Sequence, residues 1–359
     1  MAETHATFLD RTTAMGGKMQ TNAINSLDPL WVPLLTHYDR GRPGEIDPAR
    51  MRAHVCALRG HVRQFLIAGS TGDGWEIGEF AYRDLVRLSL DPGTFGSETH
   101  LLFGALRPTT GEVIERIAVL EEMLGAEPRR AARIAGVTVC PPVGPTITQA
   151  EILDHYAQVF AATTLPVAVY QLPQITGCVL EPRTVLDLIR SGRVAMFKDS
   201  SGSDTVAAAG AALGAVALRG AEGNYAEALR PAGAYDGWLL STGNAFAGCL
   251  QEIAASLRTD DNAAAAALSA NLTRAVERVF NAAQQVGFGN AFSNANRACD
   301  HVLAWGARWR DADLPLSVSG APLPLILLEE AELAVSNVRN VPARGYLEAG
   351  NSSDECRSR

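Results

Sequence analysis

Apolar and β-branched residues gather along the chain in eight short runs, each bounded by glycine, proline or small polar residues. The runs are LWVPLLT (Leu30–Thr36), QFLIAGS (Gln64–Ser70), LLFGAL (Leu101–Leu106), IAGVTVC (Ile134–Cys140), PVAVYQL (Pro166–Leu172), VAMFK (Val194–Lys198), AVALRG (Ala215–Gly220) and GWLLS (Gly237–Ser241). Compact runs of this kind read as strands buried on both faces. The stretches between them place apolar residues at helical spacing. In DPARMRAHVCALRGH, Asp47 is a candidate cap with Pro48 at the first helical position, and in TTGEVIERIAVLEEML the cap is expected near Thr110. Strand and helix alternate eight times, which implies parallel strands joined by right-handed crossovers. Eight units of similar size over roughly 230 residues fit an α/β fold of the closed (β/α)8 TIM-barrel type. An open doubly wound sheet fits less well, because no strand–turn–helix carries a complete GxGxxG.

After the eighth run, DDNAAAAALSANLTRAVERVFNAAQQ and SNANRACDHVLAWGARW read as helices, so a C-terminal helical extension is expected. The organisation predicted is a loose N-terminal extension over 1–28, the barrel over 29–257, a helical region over 258–340 and a polar tail over 341–359. A short insert, AEPRRAA (Ala126–Ala132), lengthens the approach to the fourth strand.

Composition narrows the function. With 359 residues, 47% hydrophobic and 19% charged, the chain can bury a large core. A net charge of -8 offers no basic stripe for phosphates, which argues against nucleic acid as a partner. PLPLILLEEAEL breaks off at two glutamates before reaching the length of a membrane span. Six cysteines without paired spacing and an N-terminus without a signal-peptide run point to the cytoplasm. The seven histidines show neither HxH nor HExxH, so no metal is expected.

Only two of the 31 basic residues are lysines, Lys18 and Lys198. Where a fixed positive charge suffices, this chain uses arginine. Lysine differs in that burial can strip its proton and leave a nucleophilic amine. Lys198 ends the sixth run, within AMFKDSSG, and Tyr170 stands near the end of the fifth, within YQLPQITG. In a barrel of this type the C-terminal strand ends carry the chemistry. A desolvated lysine beside a tyrosine able to pass protons describes an imine-forming site. The second run ends in GSTGDG, where backbone N–H groups with the hydroxyls of Ser70 and Thr71 can receive a carboxylate.

PLLTHYDRGRPGEID, GSTGD, VYQLPQITG, FKDSSG and GWLLSTGN occur in the order and spacing of the dihydrodipicolinate synthase and N-acetylneuraminate lyase family, which the chain resembles over nearly all of the barrel. The resemblance implies a (β/α)8 barrel with a helical C-terminal extension, usually tetrameric, and a homo-oligomer, tetramer or dimer, for this chain. It implies a lysine Schiff base with pyruvate or another 2-keto acid, formed without cofactor or metal. Lys198 would then be the imine lysine, Tyr170 the proton shuttle with Thr71 in the relay, and Ser70 with Thr71 the carboxylate cradle. Ile175, Ser200, Gly220, Glu222 and Ser241 would complete the substrate-binding set. Two departures are visible. Ile175 stands where the synthase branch carries an arginine, which argues against dihydrodipicolinate synthesis. Pro142 and Val143 stand where family members commonly carry a tyrosine pair. The expected function is aldol cleavage or condensation of a 4-hydroxy-2-keto acid or a 2-keto-3-deoxy sugar acid. Alternatives are a dehydratase or deaminase using the same imine, and a non-catalytic keto-acid-binding barrel. A phosphate-handling isomerase is disfavoured, because the loops after strands seven and eight hold no basic residue beyond Arg219.

Overall fold

The computed structural model describes residues 28–126, 133–209 and 214–348. Eight parallel strands close on one another in sequence order, β1 pairing with both β2 and β8. They are β1 (Leu30–Pro33), β2 (Gln64–Ile67), β3 (His100–Gly104), β4 (Ile134–Val139), β5 (Val167–Gln171), β6 (Val194–Asp199), β7 (Val216–Arg219) and β8 (Gly237–Leu239). Each lies within or against one of the eight runs, and nearly every strand residue is buried. Helices cover the outside, so both strand faces are apolar and the runs are continuous rather than alternating. The barrel interior is itself packed, with Trp31, Leu66, Leu102, Ala168, Met196, Leu218 and Leu239 forming a plug below the C-terminal strand ends.

Local sequence sets the helix starts. Asp47 accepts a hydrogen bond from the Arg50 N–H at 2.9 Å ahead of Pro48. The helix expected to start near Thr110 is capped one residue earlier, by a capping box of Thr109 with Glu112. After the barrel, helices Asn262–Ala283 and Ala291–Trp305 match the two expected segments. A third, Leu325–Val338, forms from the apolar run that ends in paired glutamates. It packs against both of the others through Leu327, Leu328, Ala331, Ala334 and Val335. Val341–Glu348, assigned to the tail from sequence, lies against helix Ala291–Trp305, where the Leu347 N–H donates to the Ala304 carbonyl at 3.0 Å. The N-terminal extension through residue 27, Lys18, residues 127–132 of the insert, and the tail from residue 349 lie outside the described residues. Among the described residues no helix is long and apolar enough to cross a membrane.

Candidate active site

Strands β5 and β6 pair in a register that sets Tyr170 opposite Lys198 and Gln171 opposite Asp199. Alternation along a strand then sends the first pair into the barrel and the second outward. The outward pair acts as a clamp: the Gln171 amide donates to Asp199 Oδ1 at 3.1 Å, and its carbonyl oxygen accepts from the Leu180 N–H at 2.8 Å. Asp199 also accepts from the Ser201 N–H at 2.9 Å and from the Tyr235 hydroxyl at 3.2 Å. With that pair fixed, the inward pair is fixed too. Lys198 Nζ lies 4.0 Å from the centre of the Tyr170 ring, and the two residues are 4% and 2% exposed.

Burial strips the amine of hydration and lowers the Lys198 pKa from 10.5 to about 7, against the opposing pull of Cys140 and Glu222. Near neutral pH a substantial share of the lysine is therefore the free base. The same burial pushes the Tyr170 phenol well above its ordinary value, while the hydroxyls of Ser200 and Ser70 work the other way. Tyr170 is thus a proton donor that stays protonated until a partner needs the proton. Room for the lysine comes from Gly220 at the end of β7. A Cβ there would stand 2.7 Å from Lys198 Cε and 2.2 Å from Ser200 Oγ. Ser200 Oγ is buried beside the amine, against the Tyr170 phenol.

The glycine-rich loop after β2 begins at Ala68, held at φ 52°, and continues into a tight turn, Ser70–Gly72, with Ser70 and Thr71 both buried. Gly74 is required here because a Cβ would lie 1.9 Å from the Ala68 carbonyl oxygen. Ser70 Oγ accepts from the Trp75 indole N–H at 3.0 Å, so its own proton is free to be donated elsewhere. The C-terminal helices hold this loop. Ser293 Oγ and the Asn290 amide donate to the Ser70 carbonyl at 3.2 and 3.3 Å. Arg297 reaches Asp73 at 2.6 Å in a fully buried ion pair, with the Tyr38 hydroxyl donating to the same carboxylate oxygen at 2.8 Å. The extension is therefore part of the site's support.

On the far side, Glu222 faces Lys198. Its carboxylate accepts from Ser241 Oγ at 2.6 Å, the Thr242 N–H at 3.1 Å and the Tyr225 hydroxyl at 3.1 Å. Glu222 and Ser241, expected from sequence as substrate ligands, are thus hydrogen-bonded to each other. Ile175, on the short helix Pro173–Thr176, packs with Trp75 against Tyr170, Leu106, Cys140 and Leu172. Among the described residues one group, His37, His54 and Asp300, is close enough to share a cation. Its donors are already engaged: His37 Nε2 and His54 Nδ1 hydrogen-bond at 3.0 Å, while Arg50 and Tyr346 occupy the Asp300 carboxylate. That donor set does not fit a metal.

The profile of the Dihydrodipicolinate synthetase family matches residues 123–293. The chain is 30% identical over 223 residues to 4-hydroxy-tetrahydrodipicolinate synthase of Xanthomonas campestris pv. campestris, covering 60% of this chain and 68% of that protein. The chain belongs to the dihydrodipicolinate synthetase family. Members of that family are Schiff-base-forming lyases. A Stenotrophomonas maltophilia synthase is 29% identical over 164 residues, covering 44% of this chain and 50% of that one. In fold, YagE of E. coli K12, solved in complex with pyruvate, superposes with a TM-score of 0.70 at 20% identity over 87% of this chain and 99% of that chain. The KD(P)GA of T. tenax gives 0.67 at 18%, with the same coverage of each chain.

Within this family frame, the structure brings together Lys198, Tyr170, Ser70, Ser200, Gly220 and Glu222, with Thr71 buried in the same loop. Trp75, Arg107, Asp73 with Arg297, and Asn244 were not read from sequence. Asn244 stitches β1 to β8, accepting from the Leu35 N–H at 3.0 Å and donating to the Pro33 and Ser241 carbonyls at 2.9 and 2.8 Å. An aspartate inside GSTGDG was the available signal for the Asp73–Arg297 pair; the helix Ala291–Trp305 that carries Arg297 is rich in other polar residues and does not single it out.

Proposed function

We propose that the protein is a lyase that joins Lys198 to the ketone of pyruvate or another 2-keto acid, and cleaves or forms the C3–C4 bond of a 4-hydroxy-2-keto acid. The observation that carries this reading is the pair on β5 and β6: an amine lowered to about 7 beside a protonated phenol, both buried. In the proposed cycle the neutral amine adds to C2, and the carbinolamine loses water, with Tyr170 supplying the proton that the departing hydroxide needs. The product is a cationic imine. Loss of the C4 hydroxyl proton then lets the C3–C4 electron pair move into the imine, releasing an aldehyde and leaving an enamine. Protonation at C3 and hydrolysis return pyruvate and free Lys198. Ser70, Thr71 and the Ser200 hydroxyl are assigned to the keto-acid carboxylate, holding C2 within reach of the amine.

Dihydrodipicolinate synthesis is a poorer reading, because Ile175 cannot pair with the distal carboxylate of a second substrate. A homo-oligomer remains part of the proposal on family membership, and sedimentation would measure it. The function is tested by supplying 4-hydroxy-2-keto acids and following pyruvate release with a coupled lactate dehydrogenase, while absorbance follows any unsaturated product of water loss. Pyruvate release abolished by Lys198→Arg is expected. Accumulation of the unsaturated acid without pyruvate would replace the aldolase reading with a dehydratase.

A further inference from the structure

The barrel mouth has two unlike sides. Toward β6, β7 and β8 lie Ser200, Glu222, Ser241 and Thr242. Toward β3, β4 and β5 the surface is largely apolar: Leu106, Cys140 and Leu172 surround Tyr170, and Trp75 and Ile175, both partly exposed, close over them. Whatever projects from an imine on Lys198 past the Tyr170 ring on this side meets the Trp75 indole and the Ile175 side chain.

The indole is fixed rather than free to swing away. Its N–H is tied to Ser70 Oγ at 3.0 Å. Its backbone is held by Arg107, whose guanidinium donates to the carbonyls of Gly74 and Trp75 at 2.9 Å each and of Ile77 at 2.6 Å. Arg107 also donates to the Leu106 carbonyl at 3.1 Å. Those bonds turn the guanidinium at the end of β3 toward the protein backbone. At the end of β7, Arg219 is turned the same way, donating to the Ala221 carbonyl at 2.7 Å and to the Gly223 carbonyl, with Asp204 3.4 Å from its Nε. A carboxylate on the distal part of a substrate would therefore face a largely apolar surface while both neighbouring guanidiniums face away. A chain of hydroxyls against Trp75 and Ile175 would likewise exchange water for surfaces that accept no hydrogen bond. A flat apolar group suits the same surfaces, because it can bury its area against the indole and stack on it.

We propose that the substrates of this site are 2-keto acids whose portion beyond C4 is aromatic or bulky and apolar, and that Trp75, positioned by Ser70 and Arg107, selects for that group. The proposal rests on the imine reading above and goes beyond it by naming the aldehyde partner as an aryl or branched-alkyl aldehyde. Ile175 supplies the second wall. Arg107 is a positioning residue in this account, since it reaches the substrate only through the Trp75 loop.

The test uses the full-length protein in the condensation direction, with pyruvate and, separately, benzaldehyde, glyceraldehyde and aspartate semialdehyde, and product measured by chromatography. In parallel, borohydride trapping with pyruvate alone reports the imine, which needs no aldehyde. The expected result is a kcat/KM for benzaldehyde at least ~10-fold above either other aldehyde. Trp75→Ala should reduce the benzaldehyde value by ~10–100-fold while the glyceraldehyde value changes far less, and pyruvate trapping should persist. Trp75→Phe, which keeps an aromatic wall, should recover most of the preference, and so separates selection from simple damage to the loop. A preference for glyceraldehyde or aspartate semialdehyde, a benzaldehyde-to-glyceraldehyde ratio unchanged in Trp75→Ala, or trapping without condensation of any aldehyde overturns the proposal. Absence of trapping in the unaltered protein removes the imine reading itself, and this one with it.

Discussion

Replacing Lys198 with methionine should make the protein more stable, by an amount that depends on pH. Methionine keeps the length and the apolar stem of the side chain but has no amine to desolvate. In the folded chain the amine titrates at about 7 instead of 10.5. At about 1.36 kcal/mol per pKa unit, holding a protonated Lys198 in the barrel costs about 5 kcal/mol relative to the unfolded chain. Because the folded pKa is the lower one, the unfolded state binds more protons between pH 7 and 10.5, and the stability of the unaltered protein rises with pH across that window. Below pH 7 both states are protonated and the full penalty applies; above 10.5 neither is, and it is gone. The stability advantage of Lys198→Met should therefore be largest near pH 6 and shrink by roughly 3 kcal/mol by pH 9. Urea unfolding of both proteins at four pH values from 6 to 9 measures it, and using the difference cancels groups common to both chains. An advantage independent of pH would refute the claim that burial depresses this amine, whatever the absolute stabilities.

Four further outcomes follow from the geometry. Tyr170→Phe keeps the ring beside Lys198 but loses the proton, so turnover should fall by ~10²–10⁴-fold in steady-state kinetics, while an effect confined to KM would indicate binding alone. Gly220→Ala places a Cβ 2.7 Å from Lys198 Cε and should slow borohydride trapping by about 10²-fold with far-ultraviolet circular dichroism unchanged; normal trapping would show that the lysine path tolerates it. Glu222→Gln removes a carboxylate that favours the charged amine, so the pH midpoint of trapping should move below the unaltered value, and a move upward would contradict the assignment. Arg297→Ala leaves Asp73 buried without its cation and should cost about 3–5 kcal/mol in urea unfolding, with partial recovery in the Asp73→Asn, Arg297→Met double variant.

Most of the barrel could be read from the chain because each strand is buried on both faces and so appears as one uninterrupted apolar run. Lys198 was legible for a different reason: in a chain that otherwise relies on arginine, a lysine at a strand end is a chemical choice. What sequence could not supply was contact across long separations. Arg297 and Asp73 are 224 positions apart, and nothing local to either shows that one neutralises the other. Glu222 read as an open ligand because its three donors, Ser241, Thr242 and Tyr225, converge only after β7 and β8 are side by side. Nothing local marks Trp75, which follows a glycine turn; Arg107, from beyond the end of β3, holds its loop only in the folded chain. The Leu325–Val338 helix falls within the helical region expected over 258–340 but could not be singled out there, because its first turn is continuously apolar and its amphipathic period shows only from the glutamates onward.

The central claim is that Lys198 attacks the ketone of a 2-keto acid. Incubation with pyruvate and borohydride, followed by peptide mapping with mass analysis, tests it most directly, and Lys18, the second lysine in the chain, is the internal control. The account predicts one reduced pyruvate adduct per chain, on the peptide containing Lys198, forming faster as pH rises through 7 and absent from Lys198→Arg. An adduct on Lys18 alone, or none at any pH, would contradict it.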